Sequence, residues 1–278
     1  MTKYLLILLL LAIQLFAFSD NAFIKVKARI NNDVITVKLL SNSYMADIEE
    51  AKKKNIKPEF IAHIVAIANN KIVYEVSTSG FISKKPFFEF SFKIFSNIKV
   101  IKFIITDNQG NTSTVNVNIV NSKKRKFLLK PMQKTNIYRS EIWNFKTPKK
   151  IIQQLYPEKI KNNTGIKIEI FNQPQANHAE GICILDGDGS RIKMKITSTI
   201  DFSTIAVIQD VNPRSMVALF KPTKSSIIKY NLPIKMRRTG TITVIGKSID
   251  GKIYKTKQKL YFRGGDMDCD GIPNGGGG

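Results

Sequence analysis

The residue best suited to covalent chemistry is Cys269. It sits in the run Gly264-Gly265-Asp266-Met267-Asp268-Cys269-Asp270-Gly271, inside a glycine-rich tail, FRGGDMDCDGIPNGGGG, over residues 262–278. Glycine has no side chain to bury and leaves the backbone free, so this stretch is read as a flexible arm that carries a thiol. Gly264, Gly265 and Gly271 give the arm reach without bulk, enough to enter a narrow site on a partner. Asp268 and Asp270 flank the sulfur and disfavour the thiolate by like-charge repulsion.

Other chemistry is weaker in the sequence. Asp266, Asp268 and Asp270 followed by Gly271 match the opening of a calcium loop, but the acidic residue expected at position twelve is Gly277. A calcium-binding or vestigial tail is the rival to a thiol-bearing arm. His63, His178, Cys183 and Cys269 fit no zinc spacing. Cys183, between Ile182 and Ile184, reads as a small buried hydrophobe, with a Cys183–Cys269 disulfide as the alternative. No Ser-His-Asp order, glycine-rich phosphate loop or pair of catalytic carboxylates stands out, so no catalytic residue, metal or cofactor is expected.

The chain of 278 residues carries a formal charge of +23, with its lysines spread along its length. That spread points to solvated basic faces that attract small anions or acidic proteins. The N-terminus argues for export, which speaks against nucleic acid as the partner. Lys3 precedes an apolar run over residues 5–18 that is short for a membrane span, and Ala17-Phe18-Ser19 places small residues for cleavage before Asp20. Residues 1–19 are therefore expected to be a signal peptide, an uncleaved anchor being the alternative, and the mature chain to work where disulfides persist.

Two all-β halves must position the arm. Ile24, Val26, Ala28 and Ile30 alternate with Lys25, Lys27 and Arg29, the period of a half-buried strand. Strands are expected over 34–40, 60–68, 72–77, 88–94, 100–106 and 112–120, with a helix over 44–54 and a hairpin at Asp107-Asn108-Gln109-Gly110. A short helix over 149–156 and a second series of seven strands between 165 and 262 follow. The expected fold is all-β: two immunoglobulin-like antiparallel β-sandwich domains, 20–122 and 147–263, a linker over 123–146 that holds Trp143 as a packing anchor, and the arm over 264–278.

These halves resemble one family. Lys57-Pro58-Glu59-Phe60-Ile61, the run from Gly80 to Phe88 and Thr106-Asp107-Asn108-Gln109-Gly110 are similar to the Z subunit of SoxYZ sulfur carriers. The helix near Ile151, Asp210-Val211-Asn212-Pro213 leading to Ala218-Leu219-Phe220, and Asp250-Gly251 before the last strand are similar to the Y subunit, whose arm ends Gly-Gly-Cys-Gly-Gly. The resemblance implies a SoxZ–SoxY fusion, Z-like half first, whose two sandwiches pack together. It implies a periplasmic carrier of thiosulfate oxidation, not itself an enzyme, with Cys269 as the covalent sulfur attachment. It further implies partners: a c-type cytochrome that loads the thiol, a hydrolase that releases sulfate, and a sulfur dehydrogenase.

Overall fold

The computed structural model describes residues 22–119, 125–129, 133–134, 140–162, 165–171, 175–178, 181–184 and 191–262. The expected signal peptide, the calcium-loop residues, and Gly264, Gly265, Cys269 and Gly271 lie outside them. So does the side chain of His178.

The first half contributes β1 (Phe23–Asn31), β2 (Val34–Ser41), β3 (Ile61–Ala68), β4 (Lys71–Thr78), β5 (Phe87–Lys93), β6 (Val100–Asp107) and β7 (Asn111–Asn118). Between β2 and β3 lies one helix, α1 (Ile48–Lys53). Alternation builds β1: Ile24, Val26 and Ala28 are buried while Lys25 and Lys27 are only partly so. Ile30, expected in the same stripe, is 52% exposed, because the stripe ends before the strand does. β3 is paired on both sides, to β4 and β6, as its apolar faces predict.

α1 is shorter than the helix expected over 44–54. Met45 takes a positive φ of 51° and Ala46 bridges to Glu59, so the chain is still extended there. Asp47 then starts the helix by accepting the amides of Glu49 (2.9 Å) and Glu50 (3.0 Å). The expected hairpin at Asp107 is built by its buried carboxylate, which accepts from the amides of Gln109 (2.8 Å) and Asn111 (2.9 Å).

The stretch expected to be a linker adds β8 (Arg125–Leu128), which pairs with β1, and β9 (Gln133–Lys134), which pairs with β7. A 3-10 turn (Glu141–Asn144) follows, with Trp143 buried in a small cluster beside Ile151, Tyr156 and Ala206. The second half holds α2 (Pro148–Leu155), β10 (Ile160–Asn162), β11 (Lys167–Ile170), β12 (Gln175–His178), β13 (Gly181–Ile184), β14 (Ile192–Thr197), β15 (Phe202–Gln209), β16 (Met216–Phe220), β17 (Ser226–Ile234), β18 (Gly240–Ser248) and β19 (Ile253–Phe262).

The halves are joined edge to edge as well as sharing a core. β17 pairs with β5 and β16 pairs with β4, so both sheets run unbroken through the molecule. One sheet has the order β11-β14-β17-β5-β2-β1-β8. The other runs β12-β13-β19-β18-β15-β16-β4-β3-β6-β7-β9, with β10 beside β19. One hydrophobic core fills the space between them across both halves. The backbone hydrogen bonds of four would-be edge strands are satisfied at this seam, which removes four exposed edges that could pair with other chains.

Candidate functional site

Two features meet at one end of the second half: the point where the chain leaves β19 toward Cys269, and a charged cleft on the seam.

β19 ends at Phe262, whose amide donates to Thr239 Oγ1 at 3.2 Å. Leu260 and Phe262 point into the core. Tyr261 therefore points to the outer face of its sheet, yet it is only 3% exposed. Its parallel neighbour on β13 is Cys183. Cys183 is fully buried, as expected of a small hydrophobe, but it is disulfide-bonded, which corrects the reading of it as an unbonded core residue. The residues on either side, Ile182 and Ile184, turn to the core, so Cys183 and Tyr261 share the outer face. Lys259 places its ammonium 4.6 Å from the centre of the Tyr261 ring on that face. Gly181 opens β13 because the backbone of Lys259 lies where a Cβ would be. β12 and β13 escaped the sequence reading. They are four residues each, and glycine at the start of β13 looks like loop punctuation.

Two residues before Thr239 is Arg237, which lines a cleft of about 570 Å³ on the seam. Lys53, Lys84, Arg191, Lys235 and Arg237 line it together with the carboxylates Asp47 and Glu50. Lys235, 13% exposed at its side chain, donates to Met45 O (2.7 Å) and Glu50 Oε2 (2.6 Å). Burial pushes the Glu50 carboxyl up, but the hydrogen bonds and charges of Lys235 and Lys54 outweigh it and hold the group at about 2. Arg237 reaches Asp47 Oδ1 at 3.2 Å and also bonds Glu49, so the helix-capping carboxylate of the first half is an ion-pair partner of the second. At the end of α1 Glu50 pairs with Lys54 at 2.6 Å, one turn on, whereas Glu49 turns to Arg237.

Asn212, from the Asp210-Val211-Asn212-Pro213 run, holds the cleft's second wall. Its side chain donates to Lys235 O at 2.9 Å and accepts from Arg237 N at 3.1 Å. Gln209 fixes that loop in turn by accepting the amides of Val211 (2.8 Å) and Asn212 (2.7 Å). The cleft thus has preset cationic walls and an excess of positive side chains, a field that attracts anions. Its residues were missed in the sequence because they come from both halves, and nothing local marks Lys235 or Arg191 among 44 cationic residues.

His63, weighed as a zinc ligand, lies 3.3 Å from Glu75 and is not near Cys183 in the strand order. Among the described residues no group of three or more His, Cys, Asp or Glu side chains is placed to hold a metal ion. Among them, too, no helix is long and apolar enough to cross a membrane.

Comparison with known families places these features. Residues 24–118 match the family described as sulphur oxidation protein SoxZ, and residues 186–265 match sulfur oxidation protein SoxY. The chain is a SoxZ domain followed by a SoxY domain. The order is the one expected, Z-like half first, and the fold is all-β as expected. Both families belong to sulfur oxidation, and that is the process in which this SoxZ–SoxY chain takes part, alongside sulfur oxidation enzymes. Among solved structures, the chain is similar to "Structure of the sulfur carrier protein SoxY from Chlorobium limicola f thiosulfatophilum". The identity is 16% over 41% of this chain and 94% of that one, with a TM-score of 0.34. None of the curated proteins matches the chain.

Proposed function

We propose that this protein is an exported, periplasmic carrier of thiosulfate oxidation that holds sulfur intermediates covalently on Cys269. The observation that carries the reading is the succession of a SoxZ match, a SoxY match and a last strand ending at Phe262, beyond which the sequence holds a single cysteine among glycines. The body does the positioning and the thiol does the chemistry. Joining the Cys269 thiol to thiosulfate through a sulfur–sulfur bond is a two-electron oxidation whose electrons pass to the c-type cytochrome that loads it, while Gly264, Gly265 and Gly271 let the thiol be presented in turn to that cytochrome, the hydrolase and the sulfur dehydrogenase. The fusion replaces a bimolecular assembly of two subunits by an intramolecular one, so carrier body and partner half are present at a fixed ratio. The body itself is not an enzyme in this reading.

The test is the mass of the mature protein taken from its own periplasm during growth on reduced sulfur, before and after reductant. Reductant-labile sulfur or sulfonate adducts are expected on the tryptic peptide 264–278. Cys269→Ser is expected to abolish loading with the far-UV circular dichroism unchanged. Loading that survives Cys269→Ser, or a peptide 264–278 that never carries sulfur, would sink the proposal. Sensitivity to calcium chelation in place of sulfur loading would move the assignment to the calcium-binding tail.

A further inference from the structure

Tyr44 is a large apolar side chain left 56% exposed, and Ile48 at the start of α1 and Ile56 just past its end are exposed as well. Tyr44 and Ile56, with Phe23 and Leu40, give the apolar lining of an open groove of about 1190 Å³. Lys25, Lys54, Lys57, Lys85 and Arg191 line it too, and among the described residues Glu59 is the one carboxylate that does. We propose that this groove is a docking site for an acidic stretch of a partner protein, which seats an apolar side chain against Tyr44 while its carboxylates face the surrounding cations.

The groove is held in shape by both halves of the molecule. Its walls are the loop that follows β2 and the loop that precedes β5. Ser41 N donates to Pro86 O and Lys85 N to Ser43 O, each at 2.9 Å, so the two loops run side by side. Met45 and Lys85 take positive φ values of 51° and 47°, a conformation that non-glycine residues adopt at a cost and keep where the surroundings dictate it. The Met45 side chain is fully buried and its sulfur accepts from the amide of Ile61 at 3.4 Å, which leaves Tyr44 next to it on the surface. The second half supplies the braces. Lys235 donates to Met45 O at 2.7 Å, and Arg191 donates to Lys84 O at 2.6 Å. A surface made mostly of first-half residues is thus preorganised by second-half cations, so a partner that docks on it meets the joined carrier body.

The chemistry of the lining selects the occupant. A small oxyanion would meet the cations and leave the apolar lining wet, whereas a protein segment satisfies both. Lys54 and Lys84 already place their ammonium groups 5.6 Å and 5.3 Å from the centre of the Tyr44 ring, where a stacked base would have to compete with them. Branched Ile56 offers no face on which a base could stack. An exposed tyrosine amid cations has the composition of an interface anchor, and the cations steer an acidic partner toward it.

The test is fluorescence anisotropy on the full mature chain with two labelled acidic dodecapeptides of Glu and Asp, one with Leu-Leu at its centre and the other with Gly-Gly. The Leu-Leu peptide is expected to bind, and the Gly-Gly peptide to bind about tenfold more weakly. Tyr44→Ala is expected to weaken the Leu-Leu peptide about tenfold while the denaturation midpoint stays where it was, because the side chain it removes is exposed. Lys57→Glu is expected to weaken binding several-fold, and Lys257→Glu, the same charge change at an exposed position of β19, to leave it unchanged. No binding, equal binding of the two peptides, indifference to Tyr44→Ala, or equal losses in the two lysine variants would overturn the site. Oligothymidylate or phosphatidylglycerol vesicles that bind more tightly than the Leu-Leu peptide, and lose affinity in Tyr44→Ala, would overturn the protein partner in favour of a nucleic acid or a membrane. No sulfur enters the assay, so its outcome and the loading of Cys269 are read separately.

Discussion

Beyond the strand pairing, side chains cross the seam between the two halves in two unlike ways. Inside, four aromatic rings meet: Tyr74 on β4 stacks on Phe90 of β5 at 3.9 Å between ring centres, and Phe220 on β16 stacks on Tyr230 of β17 at 4.5 Å. Tyr74 then contacts Tyr230 edge-on at 5.9 Å, so each stack belongs to one half and spans both sheets, and the edge contact ties the halves together. Outside, the crossing is ionic: Asp47, Glu49 and Glu50 of the first half face Lys235 and Arg237 of the second. The aromatic crossing is shut away from water and gains from burial in proportion to area. The ionic crossing lies at the cleft wall, where Coulomb attraction is offset by desolvation, and its value lies more in fixing direction than in stability. The inner contact should therefore hold the halves together, and the outer one should set how the cleft presents its cations.

The largest effect should come from the aromatic crossing. Phe220 is 1% exposed, and Phe220→Ala removes a ring from both a stack and the core. A loss of about 3–5 kcal/mol is expected, read as a fall in the denaturation midpoint with a cooperative transition retained. If the seam were held chiefly by its charges, the loss would be well under half of that. The comparison would then have to be reversed.

A smaller but still clear effect is expected at Lys235. Lys235→Ala leaves Glu50 and Asp47 short of their nearest buried cation and frees the carbonyl of Met45, at a cost of about 3 kcal/mol. Lys235→Met, which keeps the packing of the stem, should cost nearly as much, because the loss is electrostatic. The double variant Lys235→Met, Glu50→Gln should recover part of it, since the carboxylate that lost this cation is gone. A thermodynamic cycle over these variants checks the claim, and strict additivity would refute it.

How much of this was readable beforehand differs between the same two crossings. Alternation along β1 and the double-sided apolar run of β3 announced the strands, since period two needs only local residues. The hairpin at Asp107 was legible because Asp, Asn and Gly act on their own backbone. The seam was not: that β16 would lie against β4 depends on two edges far apart in the chain. β17 also runs on through Pro233 to Ile234, although proline is a residue that usually ends a strand pattern. Pro233 is tolerated because the register with β5 ends at Asn231, so no partner strand asks for an amide on that side. The end of the second sheet was half legible. A thiol on a glycine arm stands out as a string of letters, whereas the place of Cys183 on a strand lying parallel to β19 is something no spacing reveals. Helix α1 was over-extended because Tyr44, Met45 and Ala46 have no helix-breaking letter. Tertiary pairing of Ala46 with Glu59 overrides their propensity.

The smallest effect should be the acid response of the ionic contacts that cross between halves. Glu75 on β4 accepts from Lys221 of the second half at 2.8 Å and lies 3.3 Å from His63; His63 first, then Lys221, hold it at about 2 despite burial. Glu50 is likewise held at about 2, against an ordinary value of 4.5 for both. A carboxylate depressed in the folded state adds stability above its unfolded value, and that stability is lost as pH falls through the folded one. The melting temperature should thus change little from pH 7 to about 5 and drop between about 4.5 and 2, the window set by those two values. Lys221 is 55% exposed at its side chain, so Lys221→Ala should cost less than about 1 kcal/mol at pH 7, while Glu50→Gln with Glu75→Gln should visibly flatten the acid limb. Phe220→Ala should shift the whole curve down without changing its shape. An acid limb as steep in the double Gln variant as in the wild type would show that these carboxylates are not what ties the ionic crossing to pH.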